Sequence, residues 1–353
     1  MSIKQLYFPN YLTEDQKITL NSIKQLDKSG NLYYINYVAD YKIDEVISEY
    51  NKSYNLDISV SKVLIPGSPE KLKFSVNELG CSCFCTINNE GSPILARNYD
   101  FFNTDHICAV CRTNSVSGYA FIGALDLHFF GIRNNNLNEN NKRLQLLYSP
   151  FQVQDGINEK GFACAILMLF EGKTVQNTGK PSVLSTMVVN LLLNKASCVE
   201  EAVSLLQKYD IIAFFENIDY NHKWIMCDAK GDKAVIGYTD NKINVIRSNR
   251  NFISSANYYQ SKPIKSQIGK GFMRKNTLDH FLTLNPNPSN ETAMKYLKNV
   301  RYSLHYDYMD SDILQRNDRE NDITYWSEIF DTKKKNIKLV FKEDYDITYG
   351  FEL

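Results

Sequence analysis

The chain has 353 residues, of which 43% are hydrophobic and 23% are charged, so it has the composition of a globular protein with enough apolar material for a sizeable core. Lysine plus arginine and aspartate plus glutamate number 40 each, and this balance excludes a net-charge argument for nucleic-acid binding. The sequence contains no secretory leader and no apolar run of membrane-spanning length, so we expect a cytoplasmic protein without a membrane span.

Residues 1–80 form a leading segment with helical character. Thr13 and Gln16 match a capping box and predict a helix after them, and residues 43–50 predict a second, short helix. Residues 60–65 predict a strand because they are rich in β-branched and apolar residues. The segment is either a pro-segment or a small helical subdomain that stays with the rest of the chain.

The stretch from Cys81 to Asp100 predicts a β-hairpin. Residues 81–87 and 93–98 are rich in β-branched, aromatic and small apolar residues, and the Asn-Asn-Glu-Gly between them is typical of a hairpin turn. A reversal there brings Arg97 and Asp100 back beside Cys81. We therefore expect a thiol, a guanidinium and a carboxylate at one end of this hairpin.

The spacing of these residues resembles a known family. A cysteine with Gly91 ten residues later and Arg97 of an Arg-Asn-x-Asp motif sixteen residues later is similar to the N-terminal-nucleophile (Ntn) hydrolases of the choloylglycine hydrolase and acid-ceramidase-like superfamily, which includes penicillin-acyltransferase-like members. Cys85 does not fit, because Arg97 follows it by only twelve residues. The resemblance implies that Cys81 is the nucleophile and that Arg97 and Asp100 assist it.

The resemblance also implies that Cys81 becomes the first residue of the active chain. An α-amino group has a pKa of about 7.7 to 8.0 and a thiol about 8.5, so a free amine on the same residue can activate the sulfur. In the family the thiol attacks the preceding carbonyl and cuts its own chain. Gly80 suits that step because it lacks a Cβ. Residues 1–80 would then be a pro-segment or small subunit, and residues 81–353 the catalytic domain.

Residues 155–161, Asp-Gly-Ile-Asn-Glu-Lys-Gly, predict a hairpin turn before a buried strand and match a turn of the same family. The family provides a backbone N–H for the oxyanion ten residues after the Asn of this motif, which is Met168 here. Bile-salt hydrolases usually have Asn at that position. A backbone donor does not depend on the side chain, so Met168 remains a candidate for the oxyanion hole.

Two further residues are implied by the resemblance. Asn257 ends an apolar strand and matches the side-chain oxyanion donor, a role that suits an amide because it donates without titrating near neutral pH. A turn-forming Asn at a strand end is the alternative for this residue. Arg274, in a helical segment at residues 272–284, resembles the family's arginine, with a solvated helix arginine as the alternative.

The remaining pattern mixes helices and strands. Residues 182–195 and 199–208 show apolar residues at helical spacing, with Ser197 placed to cap the second helix. Strands are predicted on both sides of a Lys-Gly-Asp turn in residues 223–238, and at residues 323–330, 336–341 and 347–351. With the resemblance, this order implies an α+β protein, a four-layer αββα sandwich of the Ntn hydrolase fold, preceded by a helical pro-segment.

The resemblance implies a cysteine amidohydrolase that cleaves a linear, non-peptide amide of an N-acyl small molecule through a Cys81 thioester, without a cofactor or metal. If an amine replaces water as the acceptor, the same fold gives an acyltransferase. Sequence leaves this choice open, together with the acyl and amine parts of the substrate. A homo-oligomer is also compatible with the pattern.

A metal-binding or redox protein is the alternative from another class. Cysteines 81, 83 and 85 lie on alternate positions of a predicted strand, which places them about 6.6 to 6.8 Å apart. Two thiolates on one zinc ion lie about 3.8 Å apart, so this group is a poor chelate. Cys108 and Cys111 keep a metal or redox role open, although no second pair accompanies them.

Overall fold

The computed structural model describes residues 3–73, 80–102, 106–114, 118–133, 135–169, 172–215, 218–219, 221–258, 260, 270–302 and 322–353. The α-helices in these ranges are α1 (Glu14–Asn21), α2 (Ile43–Ser53), α3 (Leu56–Leu64), α4 (Asn140–Leu144), α5 (Val188–Lys195), α6 (Val199–Leu206), α7 (Lys270–Leu284) and α8 (Asn290–Asn299). The strands are β1 (Lys24–Gln25), β2 (Leu32–Tyr37), β3 (Gly80–Ile87), β4 (Pro93–Phe102), β5 (Cys108–Thr113), β6 (Phe121–Asp126), β7 (Asp155–Asn158), β8 (Ala163–Leu169), β9 (Thr174–Val175), β10 (Ser182–Leu184), β11 (Asp210–Phe215), β12 (Ile218–Asp219), β13 (Asn221–Cys227), β14 (Lys233–Thr239), β15 (Lys242–Ile246), β16 (Ile253–Ala256), β17 (Asp322–Asp331), β18 (Asn336–Phe341) and β19 (Tyr349–Glu352).

Two large sheets face each other across an apolar core. The nine-stranded sheet has the order β1-β2-β5-β6-β7-β8-β13-β14-β15, and the six-stranded sheet has the order β16-β3-β4-β17-β18-β19. The core between them contains aromatic and sulfur-containing side chains such as Tyr99, Trp326 and Cys81. Strands β3 and β4 face β8 and β13 across this core, so the predicted hairpin lies at the centre of the molecule.

Helices cover the outer face of each sheet. Helices α2, α3 and α5 contribute to a large core on the nine-stranded sheet, and α7 and α8 contribute to a smaller core on the six-stranded sheet through Leu278, Leu282 and Leu297. This mixed α+β architecture, with two large sheets between helices, is the one the sequence predicts. No helix in the described ranges is both long enough and apolar enough to cross a bilayer.

The N-terminal segment, residues 3–73, is built into the nine-stranded sheet. Strand β2 pairs in parallel with β5, with Leu32 opposite Cys108, and β1 continues the sheet outward. Ile35 and Val46 of this segment are fully buried in the core of that sheet. Removal of the segment would therefore expose a sheet edge and an apolar face.

The predicted elements of the N-terminal segment are partly correct. The capping box is confirmed, because Thr13 Oγ1 accepts from Gln16 N at 3.2 Å and Gln16 Oε1 accepts from Thr13 N at 2.9 Å. The strand predicted at residues 60–65 is wrong, because these residues belong to α3 and its end. Asn55 caps that helix by accepting from Ile58 N at 3.0 Å, and this local bond overrides β propensity.

The helix predicted over residues 182–195 is correct only in its second half. Ser182–Leu184 forms β10, which pairs in parallel with β11, and the helix begins at Val188. Ser197 is not the cap of α6, since Cys198 holds the N-cap position. Ser197 instead donates from its backbone N and its hydroxyl to the Glu201 carboxylate, at 2.8 and 2.7 Å.

Candidate active site

Strands β3 and β4 form the predicted hairpin. Gly80 pairs with Asp100, Cys81 with Tyr99, and Cys83 with Arg97. The turn uses Gly91 with a φ of 77°, a left-handed conformation that favours glycine. Because side chains alternate along a strand, residues 81 and 97 both point into the core between the sheets.

The Cys81 thiol is fully buried and held by two contacts. Arg97 Nη2 donates to Cys81 Sγ at 3.0 Å, and the thiol donates to the carbonyl of Ile166 on β8 at 3.6 Å. Burial raises the pKa of the Cys81 thiol, while the adjacent guanidinium of Arg97 opposes that rise. The described, uncut chain thus holds a protonated thiol beside a cation that favours its ionised form.

The two neighbouring cysteines of β3 lack this arrangement. Burial raises the pKa of both Cys83 and Cys85 well above the ordinary value. Within the described residues, the Arg97 guanidinium donates to neither of their sulfurs. The contact at 3.0 Å therefore distinguishes Cys81 from the other two thiols on the same strand.

Arg97 is fixed by groups from the opposite sheet. Its Nη1 donates to the Gln154 carbonyl at 2.7 Å and forms an ion pair with Asp155, which also accepts from Trp326 Nε1 at 3.0 Å. Burial lowers the pKa of Arg97, but the thiols and Asp155 around it raise the pKa above its ordinary value. The sequence did not identify Asp155 as a site residue, although Asp155 opens the turn motif at residues 155–161.

A second carboxyl lies beside this pair. Glu328 is the cross-strand neighbour of Arg97 on β17, and it is fully buried. Burial and the nearby Asp155 carboxylate raise the pKa of Glu328 well above its usual range, against the influence of Arg97. The raised pKa favours the protonated form of Glu328 beside Arg97. Nothing in the sequence pattern around residue 328 indicated this placement.

Arg274 of α7 is buried at the same end of the hairpin, so it is not a solvated helix arginine. It forms an ion pair with Asp100, and its Nη2 donates to the Cys81 carbonyl at 3.2 Å and to Asn257 Oδ1 at 3.0 Å. Asp100 also accepts from Thr324 Oγ1 at 2.6 Å. Arg274 thus connects the backbone of residue 81 with two of the predicted site residues.

Asn257 bridges the two sheets next to the nucleophile. Its Oδ1 accepts from Cys81 N at 2.6 Å, and its Nδ2 donates to the Met168 carbonyl at 2.8 Å. The nitrogen that would become the α-amine therefore contacts Asn257 in the uncut chain, whereas Asp100 lies against the preceding residue, Gly80. The structure places Met168 at the site through its carbonyl, and its role as an N–H donor stays a prediction.

Two glycines allow close approach of backbone at this site. A Cβ built on Gly80 would lie 2.9 Å from Asp100 Cβ, and one built on Gly271 would lie 2.8 Å from the Asn257 carbonyl oxygen. Both separations are too short for a side chain. At Gly80 the glycine is thus required by its packing on Asp100, a reason that the sequence did not indicate.

The placement of the other cysteines weighs against a metal site. Cys108 points into the core between the sheets, whereas Cys111 lies in the core on the opposite face of the nine-stranded sheet. Residues three apart on a strand face opposite sides, so these two thiols cannot bind one ion together. The described part of the chain contains no group of three or more metal-ligating side chains with suitable geometry.

Comparison with known proteins adds to this geometry. The profile of the family described as acyl-coenzyme A:6-aminopenicillanic acid acyl-transferase matches residues 87–345, which is 259 (345 − 86) of the 353 residues. The matched range includes Arg97, Asp100, Asn257 and Arg274 and begins six residues after Cys81. Over 106 residues the chain is 31% identical to a penicillin V acylase from Pectobacterium atrosepticum, and that alignment spans 28% of each protein.

A solved structure shares the fold. A variant of the conjugated bile acid hydrolase from Clostridium perfringens superposes with a TM-score of 0.54 at 15% identity, covering 77% of this chain and 92% of that one. A penicillin V acylase from Agrobacterium tumefaciens gives a TM-score of 0.49 at 16% identity, covering 77% and 86%. The first likeness confirms the predicted architecture of two sheets between helices.

Proposed function

Because the chain belongs to the acyl-coenzyme A:6-aminopenicillanic acid acyl-transferase family, we propose that it is a cysteine amidohydrolase that cleaves a linear, non-peptide amide bond of an N-acyl small molecule. The supporting observation is the contact of 3.0 Å between Arg97 Nη2 and Cys81 Sγ. A guanidinium at that distance lowers the free-energy cost of forming a thiolate. Cys81 is thus the nucleophile of the proposed reaction.

Activation begins with cleavage of the Gly80–Cys81 bond by the thiol itself. The sulfur attacks the Gly80 carbonyl carbon, the C–N bond breaks, and a thioester links Gly80 to Cys81. Water then hydrolyses the thioester, which leaves a carboxylate on Gly80 and a free α-amine on Cys81. Gly80 packs against Asp100 and pairs with it across the hairpin. This packing supports the step, because it holds the backbone of Gly80, whose carbonyl carbon the sulfur attacks.

The free amine then serves as the base for the external substrate. It takes the proton from Sγ as the sulfur attacks the amide carbonyl, and it returns that proton to the leaving amine. The oxyanion is received by the Asn257 side-chain amide and the Met168 N–H. Water hydrolyses the resulting thioester. Asn257 Oδ1 accepts from Cys81 N at 2.6 Å in the uncut chain, and this contact supports a role for Asn257 in orienting the new amine.

The segment of residues 1–80 is proposed to remain bound after cleavage as a small subunit. The parallel pairing of β2 with β5 and the burial of Ile35 and Val46 support this, because dissociation would expose both. The mature enzyme would then contain two chains folded as one body.

The names of the relatives suggest the substrates to test first. Penicillin V and a conjugated bile acid each carry an acyl group on a linear amide, and N-acylethanolamines and acyl-homoserine lactones extend the range of acyl chains. Activity on at least one of these amides, measured by release of the free amine, is the expected result for purified protein.

The assignment of the nucleophile is tested by two matched substitutions. Cys81→Ala is expected to lower amide hydrolysis by about 10⁴-fold or more, as loss of a nucleophile does, while Cys85→Ala leaves most of the activity. Iodoacetamide should inactivate the wild type by alkylating Cys81, as peptide mass spectrometry would show. Loss of activity in Cys85→Ala with an unharmed Cys81→Ala variant would overturn the assignment.

An acyltransferase is the second candidate, and the name of the matching family favours it. Both reactions share the thioester and differ only in the acceptor. Adding a primary amine such as 6-aminopenicillanic acid separates them. An acyltransferase yields the new N-acyl product in preference to the free acid, whereas a hydrolase yields the free acid at every amine concentration.

A further inference from the structure

Lys223 of β13 is a buried cation that has no acidic partner among the residues that the structure describes. The residue is 3% exposed, and its ammonium donates to the Tyr258 carbonyl at 2.7 Å and to Gln260 Oε1 at 3.2 Å. The titratable groups that act on its charge in the described structure are the thiols of Cys83 and Cys81 and the ammonium of Lys275, not carboxylates. Burying an unpaired cation costs stability, so such residues concentrate at functional sites.

The ammonium holds the turn that carries the predicted oxyanion donor. We call Asn257, Tyr258 and Gln260 the Asn257 turn. Lys223 Nζ bonds the residue directly after Asn257 and also lies 5.0 Å from the centre of the Tyr258 ring. Gln260 in turn accepts from Ser255 Oγ at 2.6 Å and donates to the Ser254 carbonyl at 3.1 Å. Lys223 and the end of β16 thus fix the same turn from two directions.

The opposite side of the turn is closed by the first turn of α7. Gly271 packs on the Asn257 backbone, and Arg274 donates to Asn257 Oδ1. Asn257 is therefore held between Lys223 and α7, with Cys81 N at 2.6 Å from its Oδ1. A shift in the Tyr258 carbonyl would move Asn257 relative to the nucleophile.

The charge of Lys223 changes within the physiological range. Burial lowers the pKa of Lys223 to about 7, with Lys275 of α7 acting in the same direction and the thiols of Cys83 and Cys81 opposing it. The Tyr258 ring faces the ammonium as well. The charged form makes stronger hydrogen bonds than the neutral amine and alone gains the attraction to the ring.

We propose that Lys223 is a positioning residue of the amidase, which acts by holding the Asn257 turn beside Cys81 and does so most strongly when it is charged. The inference rests on the proposed function of Cys81 and Asn257. The positioning itself is a property of the fold, so it can be measured with or without a known substrate.

The kinetic test compares Lys223→Met and Lys223→Arg with the wild type. Lys223→Met is expected to lower kcat by about tenfold to a hundredfold with KM within about threefold, as misplacement of a transition-state donor does. The ratio of wild-type to Lys223→Met kcat should fall toward one as pH rises through about 7. Lys223→Arg does not titrate in that range, so it should retain more activity than Lys223→Met. The ratio of Lys223→Arg kcat to Lys223→Met kcat should be independent of pH.

Lys233→Met is the matched control, because Lys233 lies on the adjacent strand, toward Cys85 rather than Cys81. It should leave kcat and its pH profile unchanged. Equal kcat for the wild type and Lys223→Met, or a ratio that stays constant from pH 6 to 9, contradicts the inference.

Hydrogen exchange separates this inference from the proposed function. In Lys223→Met, the peptide covering residues 253–260 should exchange at least about tenfold faster than in the wild type, while a peptide from β14 keeps its rate. That result supports the positioning role even if no amide in the substrate panel is cleaved. Unchanged exchange in residues 253–260 overturns it even in an active amidase.

Discussion

The N-terminal segment and the hairpin of β3 and β4 contribute to the molecule in different ways. The hairpin pairs residues close in sequence, such as Gly80 with Asp100, and its buried polar groups converge on one thiol. The N-terminal segment pairs Leu32 with Cys108, 76 residues away (108 − 32), and contributes mainly apolar side chains to a core. The bond proposed to be cut, Gly80–Cys81, lies at the start of β3.

The N-terminal segment therefore mainly stabilises the fold, and the hairpin mainly carries the groups of the candidate site. Loss of a group at the hairpin should change activity with little change in folding, whereas loss of the N-terminal segment should prevent folding altogether. The two regions therefore predict different phenotypes.

Deleting residues 1–73 should have the largest effect. The remaining chain lacks β1, β2 and the helices that cover part of the nine-stranded sheet, so we expect aggregation or loss of cooperative unfolding in circular dichroism. Co-expression of residues 1–73 as a separate chain should restore the fold. A truncated protein that is monomeric and unfolds cooperatively would contradict this account of the segment.

At the hairpin, Asp155→Asn should lower the rate of hydrolysis and of Cys81 alkylation by about tenfold to a hundredfold. The substitution removes the carboxylate that fixes Arg97, so the guanidinium loses its orientation toward the sulfur. The melting temperature serves as the control for folding. Alkylation of Cys81 at the wild-type rate would show that Arg97 needs no such anchor.

Glu328→Gln is the matched substitution beside the same arginine, and we expect it to lower activity less than Asp155→Asn does. Glutamine mimics a protonated carboxyl, so activity at neutral pH should stay within about threefold of the wild type. A loss as large as that of Asp155→Asn would mean that Glu328 is ionised in the native protein.

The same variant has a pH signature in stability. The folded state raises the pKa of Glu328, so as pH rises above about 4.3 the unfolded chain releases this proton while the folded chain keeps it. The wild type therefore loses unfolding free energy with rising pH relative to Glu328→Gln. Urea unfolding of both proteins at pH 4 and pH 8 should show a difference that favours the variant more at pH 8.

How much the sequence reveals also differs between the two regions. The hairpin was predictable, since turn residues and strand composition act over a short stretch, and its reversal brings Arg97 back toward Cys81. In the N-terminal segment the capping box at Thr13 was predicted correctly, but residues 60–65, which belong to α3 and its end, were predicted as a strand. Strand β10 was missed because its pairing with β11 depends on distant residues.

The supporting groups of the site were harder to foresee. Asp155 pairs with Arg97, Glu328 lies opposite Arg97 on β17, and Lys223 bonds the Asn257 turn. These three groups come from different strands, and only the folded sheets bring them to one site. Family resemblance indicated Asn257 and Arg274, but it did not indicate the contacts that these two residues make. Sequence thus indicated the groups proposed to react, and the structure added those that hold them.

The central claim is that Cys81 acts with its own free α-amine, and the mass of the active enzyme tests it most directly. Intact mass spectrometry and N-terminal sequencing of the purified, active protein should show two co-purifying chains, the larger beginning at Cys81, and Cys81→Ala should remain a single chain of 353 residues. A protein that hydrolyses amides at full rate with the Gly80–Cys81 bond uncut would contradict the account, because another base would then have to activate the sulfur.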